Sequence, residues 1–313
     1  MKGLELSESY YRIYGEPMLK EQFPGLFPFL AVGLFGNGSE CFGFDDEVSR
    51  DHDFEPGFCI MLPDESVIDR RTEFLLERAY SKLPKEHMGV SRSRTAPVGG
   101  PRHGVFRTAE YFRKIIGSSD GILTVSQWLT TEEHRFAEAV NGRVFYDGPG
   151  EVTLIRKRLS CYPEDIRRKK IAGNILLMAQ SGQYNYQRCL QHGEQAAAQL
   201  AAVEYVKRTV QTVFLLNNVY QPFYKWSFRA MRNLGKLSLL AETMEYLLTT
   251  DNSEENAESK YLLIEDAASD IIEELQNQDL TKAICGDLEK HAYSVNDGIR
   301  DNELRTMNIL AAV

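Results

Sequence analysis

Gly36-Asn37-Gly38-Ser39, then Gly43-Phe44-Asp45-Asp46-Glu47, then Ser49-Arg50-Asp51-His52-Asp53-Phe54 is the stretch on which the fold turns. Two apolar runs flank it, Phe27 to Phe35 and Gly57 to Leu62, and each suits a buried strand. A strand is therefore expected to end in a glycine-serine bend, with a polar loop leading to an Asp-x-Asp pair at the edge of a second strand. On extended backbone, residues i and i+2 share a face, so Asp51 and Asp53 would project together. Adjacent carboxylates repel one another unless a cation neutralises them. Mg²⁺ held by one or two carboxylates plus substrate phosphates is the usual hard-oxygen solution. Gly38 would let backbone N–H groups approach a phosphate, and Ser39 would offer it a hydroxyl. A bare Asp-x-Asp is a common surface pattern; its conjunction with the bend, between two buried strands, gives it meaning.

Upstream of this stretch, Leu6, Tyr10, Tyr14 and Met18 recur at helical spacing over residues 6–22, with a break expected at Pro17. Downstream, residues 66–81 read as a helix and residues 84–102 as a loop carrying Arg92, Arg94 and Arg102. A short strand is expected around Val105 and Phe106, then helices over 108–116 and 132–140, and a last strand from Arg143 to Tyr146. Asp147-Gly148-Pro149-Gly150 is a turn sequence.

Beyond about residue 150 the strand patterns stop. Helices are expected from Pro163 to about Gln180, over 195–219, over 224–248, and over 259–276 and 280–310, with a polar linker at 250–258. Leu200, Val203, Val206, Val210 and Phe214 form a helical stripe, and Arg167-Arg168-Lys169-Lys170 reads as a solvated helix face. The expected class is α+β: a mixed sheet with helices over 1–150, followed by an all-α helical bundle domain over 151–313.

A net charge of −9 gives no long-range attraction to a nucleic-acid backbone, so a polymeric nucleic acid is not the expected partner. The five cysteines are widely spaced without a Cys-x-x-Cys pair, which disfavours a disulfide framework or structural zinc. No window is apolar enough for a membrane span, and the N-terminus lacks a basic stretch with an apolar core. A cytoplasmic protein is expected.

Gly38-Ser39 followed by Asp51-His52-Asp53 resembles the signature of the nucleotidyltransferase superfamily that includes DNA polymerase beta and the aminoglycoside nucleotidyltransferases. The longer run from Gly36 to Asp53 resembles a bacterial family known as domain-of-unknown-function family 4037. So do Gly142-Arg143-Val144-Phe145-Tyr146-Asp147, Tyr162-Pro163-Glu164-Asp165 and Tyr220-Gln221-Pro222-Phe223-Tyr224-Lys225-Trp226. The resemblance implies a nucleotidyltransferase fold in the first domain. It also implies a nucleoside triphosphate over Gly38-Ser39, with Mg²⁺ bridging its phosphates to Asp51 and Asp53. An acceptor hydroxyl would attack the α-phosphorus. Members of the superfamily carry a third carboxylate on a neighbouring strand, where this chain has Arg102-His103-Gly104-Val105-Phe106. His103 is the candidate base or phosphate ligand there, histidine being the side chain suited to proton transfer at neutral pH. Lys225 is the candidate cation from the helical domain for the triphosphate. A small-molecule hydroxyl is the first expectation for the acceptor. A protein side chain is the second, and a catalytically silent nucleotide- or partner-binding module is the alternative class.

Overall fold

The structure is a computed structural model and describes residues 1–48, 54–92 and 102–313. The chain forms two compact units, one of Met1–Leu123 with Thr131–Ser160 and one of Thr124–Thr130 with Cys161–Val313.

In the first unit, α1 (Gly3–Tyr10) and α2 (Glu16–Gln22) are joined by a π-helical turn at Tyr11–Gly15. The irregularity expected at Pro17 thus falls in the turn before it, where a wider hydrogen-bond spacing accommodates the proline ring. β1 (Ala31–Leu34), β2 (Cys59–Leu62) and α3 (Arg70–Ser81) follow, then a two-residue hairpin, β3 (Glu86–His87) with β4 (Val90–Ser91). β5 (Gly104–Arg107) leads into α4 (Thr108–Ile116). After α5 (Val125–Thr130), which belongs to the second unit, come α6 (Glu133–Val140), β6 (Arg143–Asp147) and α7 (Glu151–Arg158).

The sheet order is β5-β2-β1-β6, with β1 antiparallel to both β2 and β6, and β2 parallel to β5. The parallel pair needs a crossover, and α3 lies in the connection that supplies it. Val32, Leu34, Ile60 and Leu62 join Tyr10, Tyr11, Leu19, Phe58, Leu76 and Tyr80 in one core. Ala31, Cys59 and Met61, the alternate positions, are buried on the opposite face. Burial on both faces is why these strands read as unbroken apolar runs rather than alternating ones. At Gly33 a Cβ would lie 2.6 Å from the carbonyl oxygen of Arg143, so only glycine permits the approach of β6 there.

The register fixes what shares an end of the sheet. Gly33 pairs with Cys59, and Cys59 pairs with Gly104. The end of β1 and the starts of β2 and β5 therefore coincide. Gly36–Ser39, Phe54–Gly57 and Arg102-His103 all lie at that end.

In the second unit, α8 (Glu164–Met178) runs through a π-helical stretch at Ala179–Tyr186 into α9 (Gln187–Gln191). The helix end expected at about Gln180 is absorbed inside that stretch, where Gly182 lies against the Tyr205 ring. α10 (Gln195–Leu216), α11 (Tyr224–Met231), α12 (Leu240–Thr249), α13 (Glu254–Asn277), α14 (Leu288–Asp297) and α15 (Asn302–Thr306) complete the unit. Residues 254–258, expected in a linker, already form the first turn of α13, which starts directly after Ser253.

Two expectations are corrected here. Of the expected stripe on α10, Val206, Val210 and Phe214 are buried, but Leu200 is 72% and Val203 41% exposed; Ala198, Ala202, Tyr205, Thr209 and Val213 complete the buried face. Small residues and threonines form the face because α8 packs closely on it. Nor is Arg167–Lys170 a solvated face: Lys169 is 0% and Lys170 4% exposed. α8 is enclosed by α10 and α14, and the two lysines turn their ammonium groups to buried oxygens. Lys169 donates to Asn296 Oδ1 at 2.9 Å and to the Met307 carbonyl at 2.7 Å. Lys170 donates to the carbonyls of Leu129 and Ala312, with its ammonium 5.3 Å from the Tyr162 ring centre. Burial holds the Lys169 pKa below its usual value. Among the described residues, no helix is long and apolar enough to cross a membrane.

Candidate active site

β1 ends at Leu34, and the chain then bends through Gly36, whose φ of +121° favours glycine. The Asn141 side chain fixes the bend as a strand neighbour would. Its Oδ1 accepts from Gly36 N at 2.8 Å, and its Nδ2 donates to Gly36 O at 2.6 Å. Gly38 follows in extended conformation and starts a single 3-10 turn over Ser39–Phe42. Gly38 is buried, Ser39 half-buried and Asn37 exposed.

A cleft of about 310 Å³ opens beside this bend. Its walls are the bend itself, β5 with Arg102, α4 through Tyr111 and Lys114, and α6 through Arg135 and Glu138. Phe35 and Phe106 each meet Tyr111 edge-on, with ring centres 5.5 and 5.8 Å apart, and give the cleft an aromatic floor. The Tyr111 hydroxyl donates to the Phe35 carbonyl at 3.2 Å, and burial keeps its pKa well above the usual phenol value.

Every described carboxylate lining the cleft has an arginine beside it. Glu40 pairs with Arg102, Glu73 with Arg107 at 2.7 Å, Glu110 with Arg70 at 3.3 Å, and Glu138 with Arg135 at 3.4 Å. These acids are committed to guanidinium groups, and among the described residues no cluster of three or more His, Cys, Asp or Glu could hold a metal. Asp51 and Asp53, the expected Mg²⁺ ligands, lie outside the described residues. Glu138 is the most weakly compensated of the four, and burial raises its pKa above the usual carboxylate range despite Arg135.

Gly38, Ser39 and His103 stand at one end of the sheet. His103 Nδ1 is 3.2 Å from Glu55 Oε1, its side chain is 6% exposed, and its Nε2 is buried without a hydrogen-bond partner among the described residues. The ring lies against Gly57, where a Cβ would come within 2.5 Å of it. Asp147 is at the opposite end, paired with Ala31, and its Oδ2 accepts from Thr153 N and Oγ1 at 2.7 Å each, a turn residue. Asp45, from the acidic run after the bend, is 4% exposed and accepts from Gly3 N at 2.8 Å, tying down α1. Lys225 belongs to the second unit, where it is exposed at the start of α11 with its ammonium 5.2 Å from the Trp226 ring centre.

Reading the residues alone passed over Glu40 and Glu138 and took Arg102 only as part of a basic loop. The available signal for Glu40 was its place directly after Gly38-Ser39, where a side chain enters the same cleft as the bend. Glu138 carries no local signal, being one acid among several polar positions of α6.

Residues 128–227 match the family described as Domain of unknown function (DUF4037). That span takes in the segments Gly142–Asp147, Tyr162–Asp165 and Tyr220–Trp226; the Gly36–Asp53 stretch precedes it. Among solved structures, the chain is similar to a nucleotidyltransferase-like protein from Exiguobacterium sibiricum 255-15. The identity is 12% and the TM-score 0.40, over 92% of this chain and 81% of that one. No curated protein matches the chain.

Proposed function

We propose that the first unit is a Mg²⁺-dependent nucleotidyltransferase that moves a nucleoside monophosphate from a nucleoside triphosphate to a hydroxyl of a small-molecule acceptor. The observation that carries this reading is the cleft beside the Gly36–Ser39 bend, at the sheet end to which Phe54–Gly57 also leads. Asp51 and Asp53 would hold the Mg²⁺, which when bound neutralises charge on the phosphate oxygens and the departing pyrophosphate. The Gly38 backbone, which lines the cleft, and the hydroxyl of Ser39 beside it would bind phosphate oxygens, and the floor of Phe35, Phe106 and Tyr111 excludes water and offers ring edges to a base. The acceptor oxygen forms its bond to the α-phosphorus in line as the bond to the bridging oxygen breaks and pyrophosphate leaves. His103 lies at the same sheet end but is not among the residues lining the cleft; as the base it would take the acceptor's proton on Nε2, held in orientation by Glu55 on Nδ1.

The test is nucleotide binding followed by turnover. The wild-type protein is expected to bind ATP only with Mg²⁺, to lose that binding in the double variant Asp51→Ala/Asp53→Ala, and to release pyrophosphate with an acceptor from a panel of hydroxyl compounds. Binding that ignores Mg²⁺, or survives the double substitution, refutes the metal site. One observation favours a second reading, a silent nucleotide-binding module: the described carboxylates of the cleft are all tied to arginines. Mg²⁺-dependent binding without pyrophosphate release, across small-molecule and protein acceptors alike, selects that reading.

A further inference from the structure

The four arginines and one lysine around the cleft are not equivalent. Arg107 is fully committed: Nε and Nη2 both donate to Glu73, at 3.1 and 2.7 Å, and Nη1 donates to the Pro63 carbonyl at 2.9 Å. Arg70 and Arg135 have side chains 58% and 46% exposed, and Lys114 is exposed on α4. Arg102 is different in position. Its side chain is 13% exposed, and its Nη2 lies directly over Gly38, in the space that a Cβ at Gly38 would fill. Glu40, 9% exposed, holds the guanidinium there and also presses its carboxylate on the same glycine.

A buried carboxylate at a phosphate-binding bend would repel the ligand. Its pairing with Arg102 gives that arginine a carboxylate that it could exchange for a phosphate within reach. A guanidinium is planar, weakly hydrated and matched to phosphate oxygens, so exchange of a single carboxylate for a multiply charged phosphate is favourable. We propose that Arg102 is the phosphate-binding residue of the cleft, parked on Glu40 over Gly38 and transferred to the pyrophosphoryl group of the ligand when it arrives. The ligand class is an inorganic or nucleotide-borne pyrophosphate. For a nucleotide this rests on the function proposed above, and for pyrophosphate alone it does not.

The experiment measures calorimetric binding of inorganic pyrophosphate and, separately, of MgATP to the whole chain. Wild type is expected to bind pyrophosphate. Arg102→Ala loses about tenfold or more in affinity, the size of one or two charge-assisted hydrogen bonds, and Arg102→Lys regains part of it. Glu40→Gln, which removes the competing carboxylate, binds pyrophosphate more tightly than wild type. Arg113→Ala, an exposed change on α4, leaves binding unaltered. Wild type that fails to bind pyrophosphate overturns the proposal, as does equal binding by wild type and Arg102→Ala. If Arg102→Ala does not fold, the Glu40→Gln affinity decides, and a value no tighter than wild type overturns it. MgATP binding that survives Arg102→Ala but not Asp51→Ala/Asp53→Ala sinks this inference and leaves the nucleotidyltransferase reading. Pyrophosphate binding through Arg102 without any MgATP binding does the reverse.

Discussion

At Gly38, the volume beyond the Cα is already occupied by the Arg102 guanidinium and the Glu40 carboxylate. Gly38→Ala is therefore expected to displace the pair and to cost about 1–3 kcal/mol, read as a lowered urea midpoint at unchanged m-value. Gly57→Ala should cost a similar amount, about 1–3 kcal/mol, because its methyl meets the His103 ring held by Glu55. Glu138 gives a pH signature. Its folded pKa is raised by burial, so the folded state favours the protonated acid and stability falls as the pH climbs through the folded value. Relative to Glu138→Gln, the wild type should lose stability as the pH rises above the ordinary glutamate range, and stabilities that track each other across pH would refute the burial argument. Residues at this scale were legible only where a local rule constrained them. Gly38-Ser39 stands out because a bend after a strand demands it. The Arg102–Glu40 pair joins positions 62 apart in sequence, and no local pattern announces such a partnership.

Elements were legible in proportion to their amphipathicity. α4 matches its expected span of residues 108–116, with Phe112 and Ile116 buried beside an αL cap at Gly117. β1 and β2 were recognisable as doubly buried strands, although Phe27–Phe29 forms a 3-10 turn before β1 rather than part of it. α10 met the stripe argument only in its second half: Val206, Val210 and Phe214 are buried as expected, whereas Leu200 and Val203 face outward and Ala198 and Ala202 take the packed face there. α8 defeated the charge argument for a different reason: a lysine stem can cross a packed layer when oxygens await its end. Lys169→Ala should accordingly destabilise the second unit by about 2–4 kcal/mol, through lost stem packing and two unmet oxygens. Amide exchange over residues 302–313 should accelerate at the same time, because the Met307 carbonyl loses its anchor; unchanged protection there would contradict that role.

At the scale of the molecule, the α+β half and the helical half were foreseeable from where strand patterns stop. The detour of residues 124–130 into the second unit was not, because Val125–Thr130 is too short for periodicity to assign. Trp128 is 7% exposed, with its ring centre 5.7 Å from that of Tyr162. Trp128→Ala should cost the second unit about 3–5 kcal/mol. Both tryptophans, Trp128 and Trp226, lie in that unit, so the remaining Trp226 fluorescence reports its unfolding without signal from the first. A midpoint unmoved by the substitution would show that the helix is not part of that core.

The chain passes from one unit to the other at residues 123, 130 and 160. On the ribosome, α5 emerges ahead of β6, the last strand of the sheet, and ahead of α8, the helix it packs against. Neither unit can finish while the nascent chain ends before residue 160. Trp128 and Leu129 must wait as an uncovered apolar segment for translation to deliver their partners, an interval in which a chaperone would find its handle.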